Sequence, residues 1–125
     1  MKKIFILKGV SNVGKTTKIL NIIEWIIRIY KVNENDIILT KTTENDVCGV
    51  IKIGNLIIGF NTAGDDENQI KKIDILISEN EIDILICSCR TRGKTFQHLY
   101  KNYVRKNGWL DTYINVEELP KIDVL

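Results

Sequence analysis

The sequence predicts an α/β domain: a three-layer sandwich with a mostly parallel sheet and one antiparallel hairpin strand. Three observations carry that expectation. Strand-length apolar runs alternate with helix-length amphipathic ones, the pattern of crossover units. The run from Ile82 to Cys89 is almost continuously apolar, as in a parallel strand buried on both faces. The runs from Val47 to Ile53 and from Leu56 to Phe60 are separated only by Gly54-Asn55, a two-residue link that reads as a tight hairpin. With 125 residues the chain has length for one domain and one core, so residues 1–125 are read as a single unit.

The elements follow in order. Lys3 to Lys8 is a short apolar run of strand length. Gly14 to Tyr30 reads as a helix, with Ile19, Leu20, Ile22, Ile23, Trp25, Ile26, Ile27, Ile29 and Tyr30 making an apolar stripe wider than a surface helix needs. Deep burial explains that width, and so does a protein partner on a second face. Asp36 to Thr40 reads as a strand, and Lys41 to Asp46 as a polar loop. The hairpin comes next, then a turn from Asn61 to Gly64. Asp65 to Asn80 reads as an amphipathic helix with Ile70, Ile73, Leu76 and Ile77 inward. After the buried strand, Arg90 to Thr95 is a loop and Lys94 to Asn107 a helix, with Gly108 as its stop signal. Asp111 to Val116 is a last strand, and a tail carrying Pro120 follows.

Composition narrows the classes. The chain is 44% hydrophobic and 27% charged, ordinary for a globular protein, and its formal net charge is +2. That near-neutral balance makes no electrostatic case for nucleic acid or a membrane surface. The three cysteines make no disulfide framework. Cys87 and Cys89 share one strand face and read as small core residues. The apolar run after Met1-Lys2-Lys3 is too short for a signal peptide, and no segment reaches membrane-spanning length. The expected location is the cytoplasm. His98 reads as a helix-surface residue and Trp109 as a packing residue.

The chemistry is concentrated after the first strand. Gly9-Val10-Ser11-Asn12-Val13-Gly14-Lys15-Thr16 fits G-x-x-x-x-G-K-[ST], placed between a strand and a helix as that motif requires. Gly9 and Gly14 allow backbone conformations closed to residues with a Cβ. The N–H groups from Val10 to Thr17, including Ser11, Asn12 and Val13, can converge on an anion at the positive end of the helix. Here the chain resembles the P-loop NTPase superfamily. The motif covers eight residues, and the strand–helix pattern extends the resemblance over most of the chain. The resemblance implies the P-loop fold, a nucleoside triphosphate ligand with Mg2+, Lys15 on its β- and γ-phosphates, and the Thr16 hydroxyl as metal ligand.

Three further segments fall where ligands bind, beyond the carboxyl ends of the strands. Asn61-Thr62-Ala63-Gly64-Asp65-Asp66-Glu67 resembles the Asp-x-x-Gly segment of P-loop GTPases, which also follows a hairpin. Asn61 stands in place of that motif's aspartate, so the charge that holds Mg2+ through water is gone. Gly64 N–H is a candidate γ-phosphate contact. Asp65 and Asp66 are candidates for metal ligand (Asp65) and general base, or else only favour the following helix N-terminus. Arg90-Thr91-Arg92-Gly93-Lys94-Thr95 sets three cations after the buried strand. Arg90 and Arg92 are candidates to neutralise the transferring phosphoryl or to hold an acceptor. Ser88 faces away from Cys87 and Cys89, toward the same cleft. In the Lys41 to Asp46 loop, Thr42 or Thr43 could close on the metal; an ordinary connection is the stronger expectation. A carboxylate at the end of an apolar strand is missing, since Asp83 stands at the start of its strand. The guanine-reading Asn-Lys-x-Asp motif is also absent.

Three readings therefore stay open. The leading one is a small Mg2+-dependent NTPase that binds ATP, with GTP as the second choice since nothing in the chain specifies the base, and cleaves the β–γ bond. Its broad first helix would meet a protein partner or a second copy. The next is a small nucleotide or metabolite kinase. The third is a nucleotide-binding module without turnover, which the missing strand-end acid favours.

Overall fold

The computed structural model describes residues 2–9, 14–41, 46–63, 67–90 and 94–115. Six strands lie in these segments: β1 (Lys3–Lys8), β2 (Ile37–Lys41), β3 (Val47–Ile53), β4 (Leu56–Asn61), β5 (Ile84–Cys89) and β6 (Leu110–Asn115). They form one mixed sheet in the order β2-β3-β4-β5-β1-β6. β4, β5, β1 and β6 pair parallel in turn. β3 runs antiparallel to both β2 and β4. Gly54, at φ +59, opens the two-residue turn between β3 and β4, a place that favours glycine because side chains rarely adopt positive φ.

The helices are α1 (Lys15–Ile29), α2 (Glu67–Glu79) and α3 (Lys94–Leu99). They cover both faces of the sheet because strand side chains alternate with period two. Leu7, Ile58, Phe60 and Ile86 pack against Ile19, Ile23 and Ile26 of α1. The intervening residues Ile4, Ile6, Leu85, Cys87 and Cys89 point to the other face, where Ile73 of α2 and Leu99 of α3 meet them. Each fully buried aliphatic side chain of this kind stabilises the fold by about 1.5–3 kcal/mol.

Sheet order also determines where the crossovers diverge. From β1 the chain passes over one face through α1 to the far edge at β2. From β5 it passes over the other face through α3 to β6, on the far side of β1. The carboxyl ends of β1 and β5, which are neighbours, thus lie where the two crossovers diverge, the crevice at which open α/β sheets bind ligands.

Three elements differ from expectation. The helix expected from Lys94 to Asn107 is α-helical only to Leu99 and continues as a π-helix, Tyr100–Arg105. The wider turn buries Tyr103 against the Trp109 ring, 5.4 Å between centroids. Gly108 does end the helix, at φ +69, and the N–H groups of Gly108 and Trp109 return to the carbonyls of Val104 and Tyr103. His98 is not a free surface residue: its Nε2 lies 2.9 Å from Asp74 Oδ2, tying α3 to α2. The Tyr103 hydroxyl donates to the same carboxylate. Finally, burial accounts for only part of the wide stripe on α1. Trp25, Ile29 and Tyr30 remain 43%, 55% and 59% exposed. Among the described residues no helix is long and apolar enough to cross a membrane.

Two buried glycines separate backbone from side-chain crowding. A Cβ at Gly49 would stand 2.4 Å from the Ile38 backbone carbonyl on β2, whereas one at Gly59 would meet the Ile82 Cδ1 methyl at 2.5 Å. The methyl can rotate away and the carbonyl cannot without opening the β2–β3 ladder. Gly49→Ala is expected to lower stability by about 3 kcal/mol and Gly59→Ala by about 1 kcal/mol, read from urea unfolding. The reverse order would reject this account.

The core cysteines set an alkaline limit. Burial pushes the Cys89 thiol from 9.0 up to about 11, with the Lys8 and Lys15 ammonium groups pulling back, and burial also raises the Cys87 thiol well above its ordinary value. The folded chain therefore holds the Cys89 proton after the unfolded chain has lost it. Its contribution is complete below about pH 9 and is lost as pH rises toward 11. The urea midpoint should fall over that window, less steeply in Cys89→Ala. Near neutral pH a thiol reagent should label Cys87 and Cys89 only as fast as the protein opens.

Candidate functional site

The sheet register brings the candidate residues to one edge. Lys8 at the end of β1 stands opposite Cys89 of β5 and Asn115 of β6. Asn61 at the end of β4 stands opposite Cys87 of β5 and Cys48 near the start of β3. Gly9 continues the parallel ladder, its N–H donating to the Cys89 carbonyl at 3.2 Å. The chain then returns at Gly14, which takes φ +92 and begins α1 without a side-chain cap. No heavy atom would crowd a Cβ there, so the requirement for glycine is conformational, not spatial.

The start of α1 runs against its own dipole. Helix N-termini favour carboxylates, yet this first turn carries Lys15 and Lys18 and no acid. Lys15 is 5% exposed, and its ammonium donates to the Gly9 carbonyl at 2.8 Å and the Cys89 carbonyl at 3.3 Å. The cation is thus held over the crevice between β1 and β5, at the positive end of a helix. Such a concentration of positive charge suits an anion at this point.

Beside it lies a second, polar cluster drawn from four elements. Thr16 Oγ1 is 3.1 Å from Asp46 Oδ1 and 3.5 Å from the Thr62 carbonyl. The Thr62 hydroxyl donates to Asp46 Oδ1 at 2.9 Å while its oxygen accepts the Val47 N–H at 3.0 Å. Ser88, buried at the end of β5, donates to the Thr62 carbonyl at 3.0 Å. Asn61 is buried too, and its Oδ1 accepts the Ala63 N–H at 3.1 Å, closing a local turn.

Several expectations can now be placed. Gly9, Gly14, Lys15 and Thr16 come together, and Ser88 reaches their neighbourhood through Thr62. Thr17 is the next residue of α1 and is exposed. Arg90 is exposed at the same edge, and its N–H donates to the hydroxyl of buried Thr95, which shapes the start of that loop. Lys94 lines a surface groove with Gln97, His98 and Lys101. Asp83 is confirmed at the opposite end of its strand, accepting the Ile57 N–H at 2.9 Å. Val10, Ser11, Asn12, Val13, Thr42, Thr43, Gly64, Asp65, Asp66 and Arg92 lie outside the described residues.

Sequence reasoning missed Asp46 and Thr62. Asp46 was visible only as the last residue of a polar loop, thirty positions from Thr16, and Thr62 as an interior residue of a motif judged by its first. Only the antiparallel return of β3 sets Asp46 beside the start of α1.

Compared with family models, curated proteins and solved structures, the chain gives no significant match to any of them.

Proposed function

We propose that this chain is a small Mg2+-dependent P-loop NTPase, binding ATP, or else GTP, and cleaving the β–γ phosphate bond. One observation carries the reading. A buried lysine and a positive-φ glycine open a helix at the crevice between β1 and β5, inside a sequence that meets the phosphate-binding loop motif at its fixed positions Gly9, Gly14, Lys15 and Thr16.

The roles follow from charge and position. Gly9 and Gly14 let the backbone wrap the phosphates, and the N–H groups at the start of α1 meet their oxygens. Lys15 exchanges two carbonyl partners for the β- and γ-phosphate oxygens, a stronger charge-assisted bond. The residues present also suit a hard divalent cation, because Thr16 and Asp46 offer it oxygen donors beside Lys15. When bound, Mg2+ supplies neutralisation of charge on the bridging and terminal phosphate oxygens. Arg90 follows β5 at the same sheet edge and is assigned the charge that develops as the bond breaks. Asp65 or Asp66 is assigned the orientation of the attacking water, and Arg92 a share of charge neutralisation, on sequence alone. The exposed Trp25 and Ile29 on α1, with Tyr30 just after it, support a protein partner or a second copy on that face.

Incubation with γ-labelled ATP or GTP, Mg2+ and a pool of nucleosides and small metabolites tests the reading. The expected product is inorganic phosphate, lost in Lys15→Ala. That variant should also bind nucleotide about 10–100-fold more weakly, the effect of one charge-assisted contact, with its folding checked by urea unfolding. Label on an acceptor would replace the hydrolase with a kinase. Lysine-dependent binding without turnover would leave a binding module. Binding that ignores Lys15 would overturn the nucleotide reading itself.

A further inference from the structure

We infer that Asp46 is the carboxylate ligand of the divalent cation, binding it directly together with Thr16 Oγ1, and that Thr62 is the residue that positions this carboxylate. The inference rests on the nucleotide reading and supplies the acid that the strand ends lack.

Geometry argues for it first. Two neighbouring ligands of an octahedral Mg2+ at about 2.1 Å lie roughly 3.0 Å apart, since the edge of an octahedron is √2 times the bond length. Thr16 Oγ1 and Asp46 Oδ1 are 3.1 Å apart. The cation can thus take both oxygens with almost no change in their separation. A larger cation such as Ca2+, at about 2.3–2.6 Å, would spread the same edge to roughly 3.3–3.7 Å.

The hydrogen bonds around the pair argue for it next. Thr62 Oγ1 accepts the Val47 N–H, so its own proton is directed at Asp46 Oδ1. This hydroxyl holds the same carboxylate oxygen that faces Thr16, in the way that outer hydrogen bonds orient metal ligands. A Thr16 hydroxyl that coordinates a cation must also turn its proton aside. The Thr62 carbonyl, 3.5 Å away and held by Ser88, is in place to accept it. One threonine thereby serves both ligands, through its side chain and its backbone.

Other groups at the strand ends fit less well. Asn61, at the strand end where the resembled motif has its acid, is neutral and its oxygen closes the turn to Ala63. Asp83 is at the opposite end of β5. Of the described acidic side chains, Asp46 is the one bonded to Thr16.

Nucleotide binding measured with and without Mg2+ tests the inference, using a non-hydrolysable ATP analogue and, in parallel, Mn2+ followed by its paramagnetic resonance. In the native chain Mg2+ should strengthen binding. Asp46→Asn should lose about 10–100-fold of affinity with the cation present, keep the cation-free affinity, and release bound Mn2+. Asp83→Asn, at the opposite end of β5, should do neither. Asp46→Cys should bind the analogue better with Cd2+ than with Mg2+, because a thiolate prefers the softer ion. Native cation dependence in Asp46→Asn, with binding still lost in Lys15→Ala, would overturn this assignment alone. Unchanged binding in Lys15→Ala would remove the reading beneath it. Failure of both Asp46 variants to fold, checked by circular dichroism, would make Asp46 a structural tie and also overturn the assignment.

Discussion

The parallel ladder between β1 and β5, in register from Lys3–Ile84 to Lys8–Cys89, sets where both strands end and so where the two adjacent loops begin. Gly9 and Arg90 then stand side by side, and the Cys89 carbonyl accepts both the Gly9 N–H and the Lys15 ammonium. A slip of one residue would turn Ile4 and Ile6 to the α1 face and Phe5 and Leu7 to the other. It would also carry Lys15 off the crevice. The hydrophobic alternation that holds the core is therefore the same constraint that places the cation, and packing and site cannot be varied independently.

The polar cluster beside Lys15 shows how such a site is kept in a buried place. Thr62 and Ser88 are buried, and Asp46 and Thr16 partly so, which carries a desolvation cost unless each group is bonded. Here the donors and acceptors interlock: Ser88 to the Thr62 carbonyl, Thr62 to Asp46, Val47 N–H to Thr62. Because they come from α1, the start of β3, the turn after β4 and the end of β5, the cluster also pins four elements at one edge. Within it the Thr16 hydroxyl has two acceptors in range, Asp46 Oδ1 and the Thr62 carbonyl.

The far side of the sheet has its own tie. Asp74 of α2 takes His98 of α3 and the Tyr103 hydroxyl, and the π-helix brings Tyr103 inward to both Asp74 and Trp109. Since α3 follows the Arg90 loop, this tie fixes one end of a segment whose other end lies at the site. On the α1 side the cover is narrower, and a groove of about 330 Å³ between Ile22 and Ile26 of the helix and Phe5, Ile84 and Ile114 of the sheet stays apolar.

Local signals carried much of this protein. The strand bounds Lys3–Lys8 and Val47–Ile53, the Gly54-Asn55 turn, the Gly108 stop and the core faces of Cys87 and Cys89 all follow from periodicity and backbone preference between near neighbours. So does the placement of Gly14 and Lys15 at a helix start, because the glycine's φ and the helix pattern are properties of a few consecutive residues. Tertiary structure alone decided the rest. The order β2-β3-β4-β5-β1-β6, the meeting of Asp46 with Thr16, the turning of Asn61 into a local bond, and the pairing of His98 with Asp74 each join residues far apart in the chain. A side chain shows its type in the sequence, but its partner depends on which strand lies alongside, and that is set by how both faces of the sheet are buried at once.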